Sequence, residues 1–258
     1  TTEIYTLSLH DALPICVLIR LDPGSGAGHG HHSHVVTAGE RTKFGIDPRD
    51  VPLAVKICEE IGAKIVGIHA HVGSGILEPE PWSKTLEILF GVAISIPTVR
   101  IINIGGGYGV VQNPKTQSEL DLDQVRKHLD SVVFGSEMLM KKSKREFEIW
   151  TEPGRYLVAQ AGTLIARVTQ MKRKGEKTRF VGVDAGMNSL IRPALYQAYH
   201  HVVSLSRQSQ SQSQQEQGEI ECALVGPICE SGDVINGHVM LPEETSEGDV
   251  IEIGRAHV

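Results

Sequence analysis

The sequence predicts an α/β chain in two parts, a series of strand–helix repeats followed by a β-rich domain. Three observations carry this. From residue 16 to 159, short β-branched runs alternate with stretches of helical period. Glycine-bearing and polar segments recur just after the apolar runs, where the loops of a parallel sheet lie. Beyond residue 160 the helical period fades and β-rich segments take over.

Val17-Leu18-Ile19-Arg20-Leu21 reads as a strand that stops at Asp22-Pro23-Gly24. Asp50 to Ile61 places Val51, Ala54, Val55, Cys58 and Ile61 at helical spacing, with Asp47 or Asp50 near the N-cap. Lys64 to His69 is a strand, Pro81 to Ile94 a helix, and Val99 to Ile104 a strand that ends in three glycines. Asp123 to Lys141 reads as a helix and Glu146 to Trp150 as a strand. About four strand–helix units can be counted, half of a (β/α)₈ barrel, whose polar loops gather at the C-terminal face. Thr163 to Gln170, Arg179 to Asp184 and Glu221 to Gly226 are the β-rich segments of the second domain. The Ser/Gln tract 204–217 is too polar to pack and reads as a disordered surface loop.

The two ends do not share this texture. Residues 1–15 follow neither a helical nor a strand period and lack the basic and apolar regions of a signal peptide. They look like a translated sequencing adapter, and residues 253–258 look like the opposite one. The expected organisation is therefore 16–159 for the partial barrel and 160–252 for a truncated β-rich domain, an internal fragment cut at both ends.

Composition excludes several classes. The 258 residues carry a formal net charge of −6, which argues against a nucleic-acid or anionic-membrane partner. No apolar run approaches the roughly 20 residues of a membrane span. Cys16, Cys58, Cys222 and Cys229 form no CxxC pair, which argues against a zinc site or disulfide framework and for a reducing setting. The stretch Gly28 to His34 holds four histidines, but no carboxylate or cysteine framework surrounds them, and no metal is assigned.

Five segments carry the candidate chemistry. They are His69-Ala70-His71-Val72-Gly73-Ser74-Gly75, Gly105-Gly106-Gly107-Tyr108-Gly109, Glu152-Pro153-Gly154-Arg155, Asp184 to Tyr196 with Arg192-Pro193-Ala194-Leu195-Tyr196 at its end, and Gly226-Pro227-Ile228-Cys229-Glu230-Ser231-Gly232-Asp233. A glycine triplet after a strand lets the backbone approach a phosphate, though such a turn is often only structural. His71 at a strand end reads equally as a core or surface residue. Glu152 and Arg155 read alone as a surface turn with a local ion pair. Cys229 could be inert packing, but its Gly, Pro and Ser neighbours favour an exposed turn.

Taken in this order, the segments resemble the fold-type III pyridoxal-phosphate decarboxylases, over nearly all of residues 16–249. The resemblance implies the C-terminal half of an alanine-racemase-like (β/α)₈ barrel and an all-β domain. Within the family, the Asp184–Tyr196 pattern is similar to that of the enzymes acting on diaminopimelate, and the ornithine enzymes differ there. The resemblance implies pyridoxal 5'-phosphate as cofactor and decarboxylation of meso-2,6-diaminopimelate to L-lysine, in the cytoplasm or a plastid. It implies that His71 stacks on the cofactor ring, that Ser74, Gly105, Gly106, Gly107, Gly154 and Arg155 hold the phosphate region, and that Glu152 pairs with the ring nitrogen. By the same resemblance Arg192 and Tyr196 hold the substrate's distal carboxylate, Arg155 also approaches a substrate carboxylate, and Glu230 holds the distal ammonium. Cys229 returns the proton in the neighbouring subunit's site, which makes the expected assembly a homodimer with shared active sites.

The family's cofactor lysine belongs to the first barrel strand and is not in this chain. Lys43 lies on a loop and is not assigned that role. An ornithine- or arginine-type decarboxylase and a non-catalytic cofactor-binding relative are the alternatives. The chain alone is expected to show no turnover and poor solubility, since half a barrel leaves strand edges unpaired. Carbon dioxide release by the purified chain would overturn that expectation.

Overall fold

The computed structural model describes residues 15–24, 37–39, 42–136, 145–176, 178–208 and 218–254. The histidine-rich stretch, residues 209–217 of the Ser/Gln tract, and residues 1–14 and 255–258 of the two ends lie outside them. The chain divides into two units.

The first unit contains Val36–Gly107 and Asp121–Pro153 together with the first strand. Its strands are β1 (Cys16–Arg20), β2 (Lys64–His69), β3 (Ile101–Gly106) and β4 (Glu148–Glu152), parallel and in the order β1-β2-β3-β4. Helices α1 (Val51–Glu60), α2 (Glu80–Ser95) and α3 (Leu122–Gly135) alternate with them. Pro81 in the first turn of α2 suits a position with no intrahelical N–H bond to lose. Trp82, Leu86, Leu89, Phe90 and Ala93 recur at helical spacing and are buried. The C-terminal carbonyls of α2 are capped from a distance, as Arg145 donates to Ile94 O at 2.7 Å and Ile96 O at 2.7 Å. Asp121 caps α3 by accepting from Gln124 N at 2.9 Å.

Two details of α1 differ from the sequence reading. Asp47 caps the short 3-10 turn Pro48–Asp50, whereas Asp50 makes no side-chain cap. Ile61, read as part of the apolar stripe, is 71% exposed, because α1 has ended by Glu60 and the chain leaves through Gly62 at φ 74°. Among the described residues β1 pairs only with β2 and β4 only with β3, so the four strands form an open sheet with two edges.

The second unit contains Tyr108–Leu120 and Gly154–Val258. The division at Pro153/Gly154 comes slightly before the expected 159/160, and the short segment after the triple glycine counts with the second unit. Its sheet, in the order β7-β10-β5-β6-β8-β9, consists of β5 (Thr163–Lys174), β6 (Thr178–Val183), β7 (Val202–Ser204), β8 (Glu219–Val225), β9 (Val234–Pro242) and β10 (Val250–Gly254). All pairs are antiparallel except β6 with β8.

Alternation sets the core. Cys222 and Leu224 of β8 point inward with Val181, Val183, Val239, Leu241, Ile251 and Ile253. The same alternation carries β10 through Glu252, the expected end of the native sequence, to a buried Ile253 that pairs with Leu164 and Val202. The β-rich unit also holds three short helices, α4 (Gly154–Val158), α5 (Arg192–Tyr196) and α6 (Leu205–Gln208), the last formed by the start of the Ser/Gln tract. Among the described residues no helix is long and apolar enough to cross a membrane.

Candidate functional site

In the first unit the polar residues sit at the C-terminal ends of the parallel strands. The strand register sets Arg20 beside His69 and His69 beside Asn103, with Gly106 beside Glu152. Asn103 donates through Nδ2 to Glu152 Oε1 at 2.9 Å and accepts the Gly105 N–H at 2.9 Å. His69 Nε2 lies 3.5 Å from the same Glu152 oxygen, a charge contact without hydrogen-bond geometry, so this buried nitrogen has no hydrogen-bond partner. His71 Nδ1 accepts the Gly106 N–H at 3.1 Å, which leaves Nε2 to carry the proton of the neutral ring.

Burial, and then the charge of Arg20, hold His71 below the usual histidine range. Burial also lowers His69, against the pull of the Glu152 carboxylate. Arg20 is lowered by burial, with Glu152 opposing, and its guanidinium lies 4.7 Å from the centre of the Phe44 ring.

The triple glycine is demanded by the chain's own packing. A Cβ on Gly105 would run into Ala70 O, one on Gly106 into Glu152 O, and one on Gly107 into Gly73 O. Gly105 and Gly107 also take φ of 73° and 89°. The triplet is thus required by the close approach of three backbone segments. Ile76 N donates to Gly107 O at 2.9 Å and ties the Ser74-Gly75 loop to the glycine turn. Among the described residues the Ser74 hydroxyl and the Gly107 N–H have no hydrogen-bond partner.

The second unit gathers a different chemistry. Arg155 lies in α4, and Arg192 opens α5, which Tyr196 closes. Burial and the nearby charge of Arg155 push Arg192 down to about 10, with Tyr196 opposing. Arg155 is also lowered by burial. Among the described residues neither guanidinium has a carboxylate partner.

Neutral groups hold Arg192 in place. Its Nη1 lies 3.3 Å from His200 Nε2, and His200 Nδ1 lies 3.2 Å from Gly254 O. Because the Gly254 carbonyl only accepts and the guanidinium only donates, Nδ1 is the donor and Nε2 the acceptor. With its amide turned as its surroundings require, Gln112 accepts from Nη1 at 3.3 Å and Nη2 at 2.8 Å. Arg192 Nε is buried and has no partner. A half-buried cation without a counter-charge is costly, and an anionic ligand would relieve that cost.

Cys229 and Glu230 lie on the exposed loop between β8 and β9. Glu230 Oε1 accepts only from its own loop, from Gly232 N at 3.2 Å and Ser231 Oγ at 3.3 Å. The buried thiol is Cys222, which burial pushes up to about 11.

Sequence reasoning gave no role to His69 within its candidate segment, and missed Arg20 and Asn103 in the first unit and Gln112 and His200 in the second. Arg20 and His69 end their strands, and Asn103 is the one polar residue in an apolar run, so those three left a signal. Gln112 and His200 left none. Among the described residues no group of three His, Cys, Asp or Glu side chains could hold a metal ion.

The family model for the pyridoxal-dependent decarboxylase C-terminal sheet domain matches residues 25–256. The chain is 36% identical to the diaminopimelate decarboxylase of Methanothermobacter thermautotrophicus, over 93% of this chain and 54% of that protein. It is 35% identical to the diaminopimelate decarboxylase of Escherichia coli K12, over 84% of this chain and 50% of that protein. Among solved structures it is similar to diaminopimelate decarboxylase from Helicobacter pylori complexed with L-lysine, with a TM-score of 0.76 and 28% identity over 94% of this chain and 56% of that one. The chain spans about half the length of the curated relatives it matches.

Two outcomes follow from this geometry. Gly106→Ala drives a methyl group into a backbone carbonyl and destabilises the first unit by about 2–3 kcal/mol, read as a lower urea midpoint. An unchanged midpoint contradicts the close approach.

His71 titrates lower in the folded chain than in the unfolded one, where it lies near about 6.5. Its contribution is therefore fully present above about pH 6.5 and is lost as the pH falls below it. The urea midpoint should drop between about pH 7.5 and about pH 5.5, and His71→Gln should lessen that drop. A drop equally large in the variant would rule out a buried neutral imidazole.

Proposed function

We infer that this chain, which belongs to the pyridoxal-dependent decarboxylase family, serves the decarboxylation of meso-2,6-diaminopimelate to L-lysine. The observation that carries the substrate is the Arg155–Arg192 pair, two half-buried guanidiniums with no carboxylate partner among the described residues. A substrate with a carboxylate at each end needs a cation for the end that does not react, whereas a diamine precursor does not. The names of the relatives support the same substrate.

The donor set of the first unit fits pyridoxal phosphate. The cofactor requires a carboxylate at its ring nitrogen, a flat support and N–H or O–H donors at its phosphate. Glu152 is a carboxylate oriented by Asn103, and His71 is a ring fixed by the Gly106 N–H. The Gly107 N–H and Ser74 hydroxyl are donors with no partner among the described residues. When bound, the cofactor supplies an electron sink for the pair left behind by carbon dioxide.

This chain's residues then have separate tasks. Glu152 keeps the ring nitrogen protonated. His71 supports the ring face as a neutral imidazole, so it adds no charge beside the ring nitrogen. Ser74 and the Gly107 N–H donate to the phosphate, since the Gly105 and Gly106 N–H groups are already given to Asn103 and His71, and the family pattern gives Gly154 and Arg155 the same ligand. Arg192, braced by Gln112 and His200, takes the distal carboxylate alongside Tyr196, and Glu230 takes the distal ammonium. The Cys229 thiol donates the proton that replaces carbon dioxide. Its exposure on a loop tip supports a role in the site of a second copy, hence a homodimer. The cytoplasm, or a plastid, is the setting proposed for it. No residue of this chain is assigned as the lysine that carries the cofactor.

The test is Arg192→Ala in the decarboxylating protein. Loss of a half-buried charge pair with the substrate should raise KM for diaminopimelate by about thirtyfold or more. An unchanged KM would remove Arg192 from substrate binding, and equal turnover of ornithine would move the assignment to a diamine-forming decarboxylase.

A further inference from the structure

Asp233 is the one buried carboxylate at the neck of the loop that carries Cys229 and Glu230. It is 3% exposed, while residues 227–232 of the loop are exposed. Its Oδ2 accepts the Ile228 N–H at 2.8 Å, inside the loop. Its Oδ1 accepts the Met187 N–H at 2.6 Å, in a different segment of the second unit. Its main chain closes the neck, with Gly226 N donating to Asp233 O at 3.0 Å and Asp233 N to Glu230 O at 3.0 Å. Among the described residues no cation pairs with it. The carboxylate charge is taken up by backbone N–H groups, and such charge-assisted bonds are stronger than neutral ones.

Two glycines make room for this carboxylate. A Cβ on Gly186 would lie 2.7 Å from both carboxylate oxygens. One on Gly226 would lie 2.5 Å from the Gly186 Cα and run into the carboxylate as well. Neither glycine takes a positive φ, so space is the reason for both. Gly186, Gly226 and Asp233 therefore interlock without slack. From Gly186 the chain turns tightly, with Ser189 N donating to Gly186 O at 2.9 Å and Leu190 N at 3.0 Å. Leu190 is buried, and α5 with Arg192 begins two residues later.

We propose that Asp233 is a positioning residue that locks the Cys229–Glu230 loop to the turn leading into Arg192 and Tyr196, so that the two segments are placed as one body. The coupling itself stands on geometry alone. Its consequence for catalysis rests on the function proposed above, in which one segment supplies the proton and the other grips the distal carboxylate.

Amide hydrogen exchange on the chain itself tests the coupling. Asp233→Asn keeps the shape but turns an N–H donor toward one of the two backbone N–H groups. Exchange should rise about tenfold or more at both Met187 and Ile228. It should rise also at Ser189 and Leu190, which do not touch Asp233. Gly186→Ala is the sharper variant, because it should speed exchange at Ile228 and Asp233, far away in sequence. The Cys222 thiol, still protected from alkylation, reports that the sheet remains folded. If Gly186→Ala unfolds the chain, Asp233→Asn decides alone. A merely local stabiliser would move only its own loop, so unchanged exchange at Ser189 and Leu190 in Asp233→Asn overturns the proposal.

In the decarboxylating protein Asp233→Asn should lower kcat and raise KM together. If exchange rises at both segments while kcat and KM stay as they were, the coupling stands and the assigned roles of Cys229 and Arg192 fall.

Discussion

The first unit depends on one constraint, the contact of backbone with backbone at the triple glycine. Three loops converge where Gly105 meets Ala70, Gly106 meets Glu152 and Gly107 meets Gly73, each too close for a side chain. That convergence brings a histidine from the β2 loop within hydrogen-bond reach of the β3 turn and sets Glu152 beside Asn103. It also turns Gly106 O toward α2, where the buried Trp82 indole donates to it at 2.9 Å. The polar cluster is therefore a product of packing. Its groups are fixed because the backbone beneath them has no alternative path, which is the condition for a site that must hold a flat ligand without reorganising.

Much of this was legible in the sequence, for physical reasons that can be named. Strand–helix alternation has a period, and the periods located β1 to β4, α1 and α2 within a few residues, whereas α3 ends at Gly135, six residues before the expected Lys141. The glycine motifs were legible because a missing Cβ leaves few alternatives, although the pattern alone did not say what occupied the space. At Gly106 it is the carbonyl of Glu152. Glu152 and Arg192 were legible only through a family pattern, since a glutamate at a strand end and an arginine before a proline are common. Gln112 and His200 were illegible, because each matters only through one partner brought to it by the fold. A single polar residue has no period to betray it. The short helix α5 escaped too, being one turn inside a domain whose texture is β.

The arginines of this chain show how a guanidinium's surroundings declare its use. Arg49 is paired with Asp47 on the surface, a contact of little consequence for stability. Arg145 is saturated by the carbonyls at the end of α2 and lies 5.1 Å from the Phe147 ring centre, so its charge completes a helix end. Arg192 differs from both. Its contacts are a histidine nitrogen and an amide oxygen, neutral acceptors that orient the fork without cancelling its charge. Burial then works against the charged form strongly enough to push it down to about 10.

An unneutralised, half-buried cation is poor design for stability alone. Replacing Arg192 by an apolar side chain of similar volume would remove the desolvation cost and the repulsion from Arg155. A carboxylate in place of Gln112 would achieve the same by pairing. The chain has neither, and instead directs two neutral acceptors to one edge of the fork and leaves Nε without a partner. Among the described residues no carboxylate supplies the missing charge, and the arrangement suits a planar anion that matches the open edge of a guanidinium. Such an anion would regain in binding what the folded chain forgoes in stability, and among the described residues no carboxylate competes with it. The distal carboxylate of the proposed substrate is an anion of that shape and charge.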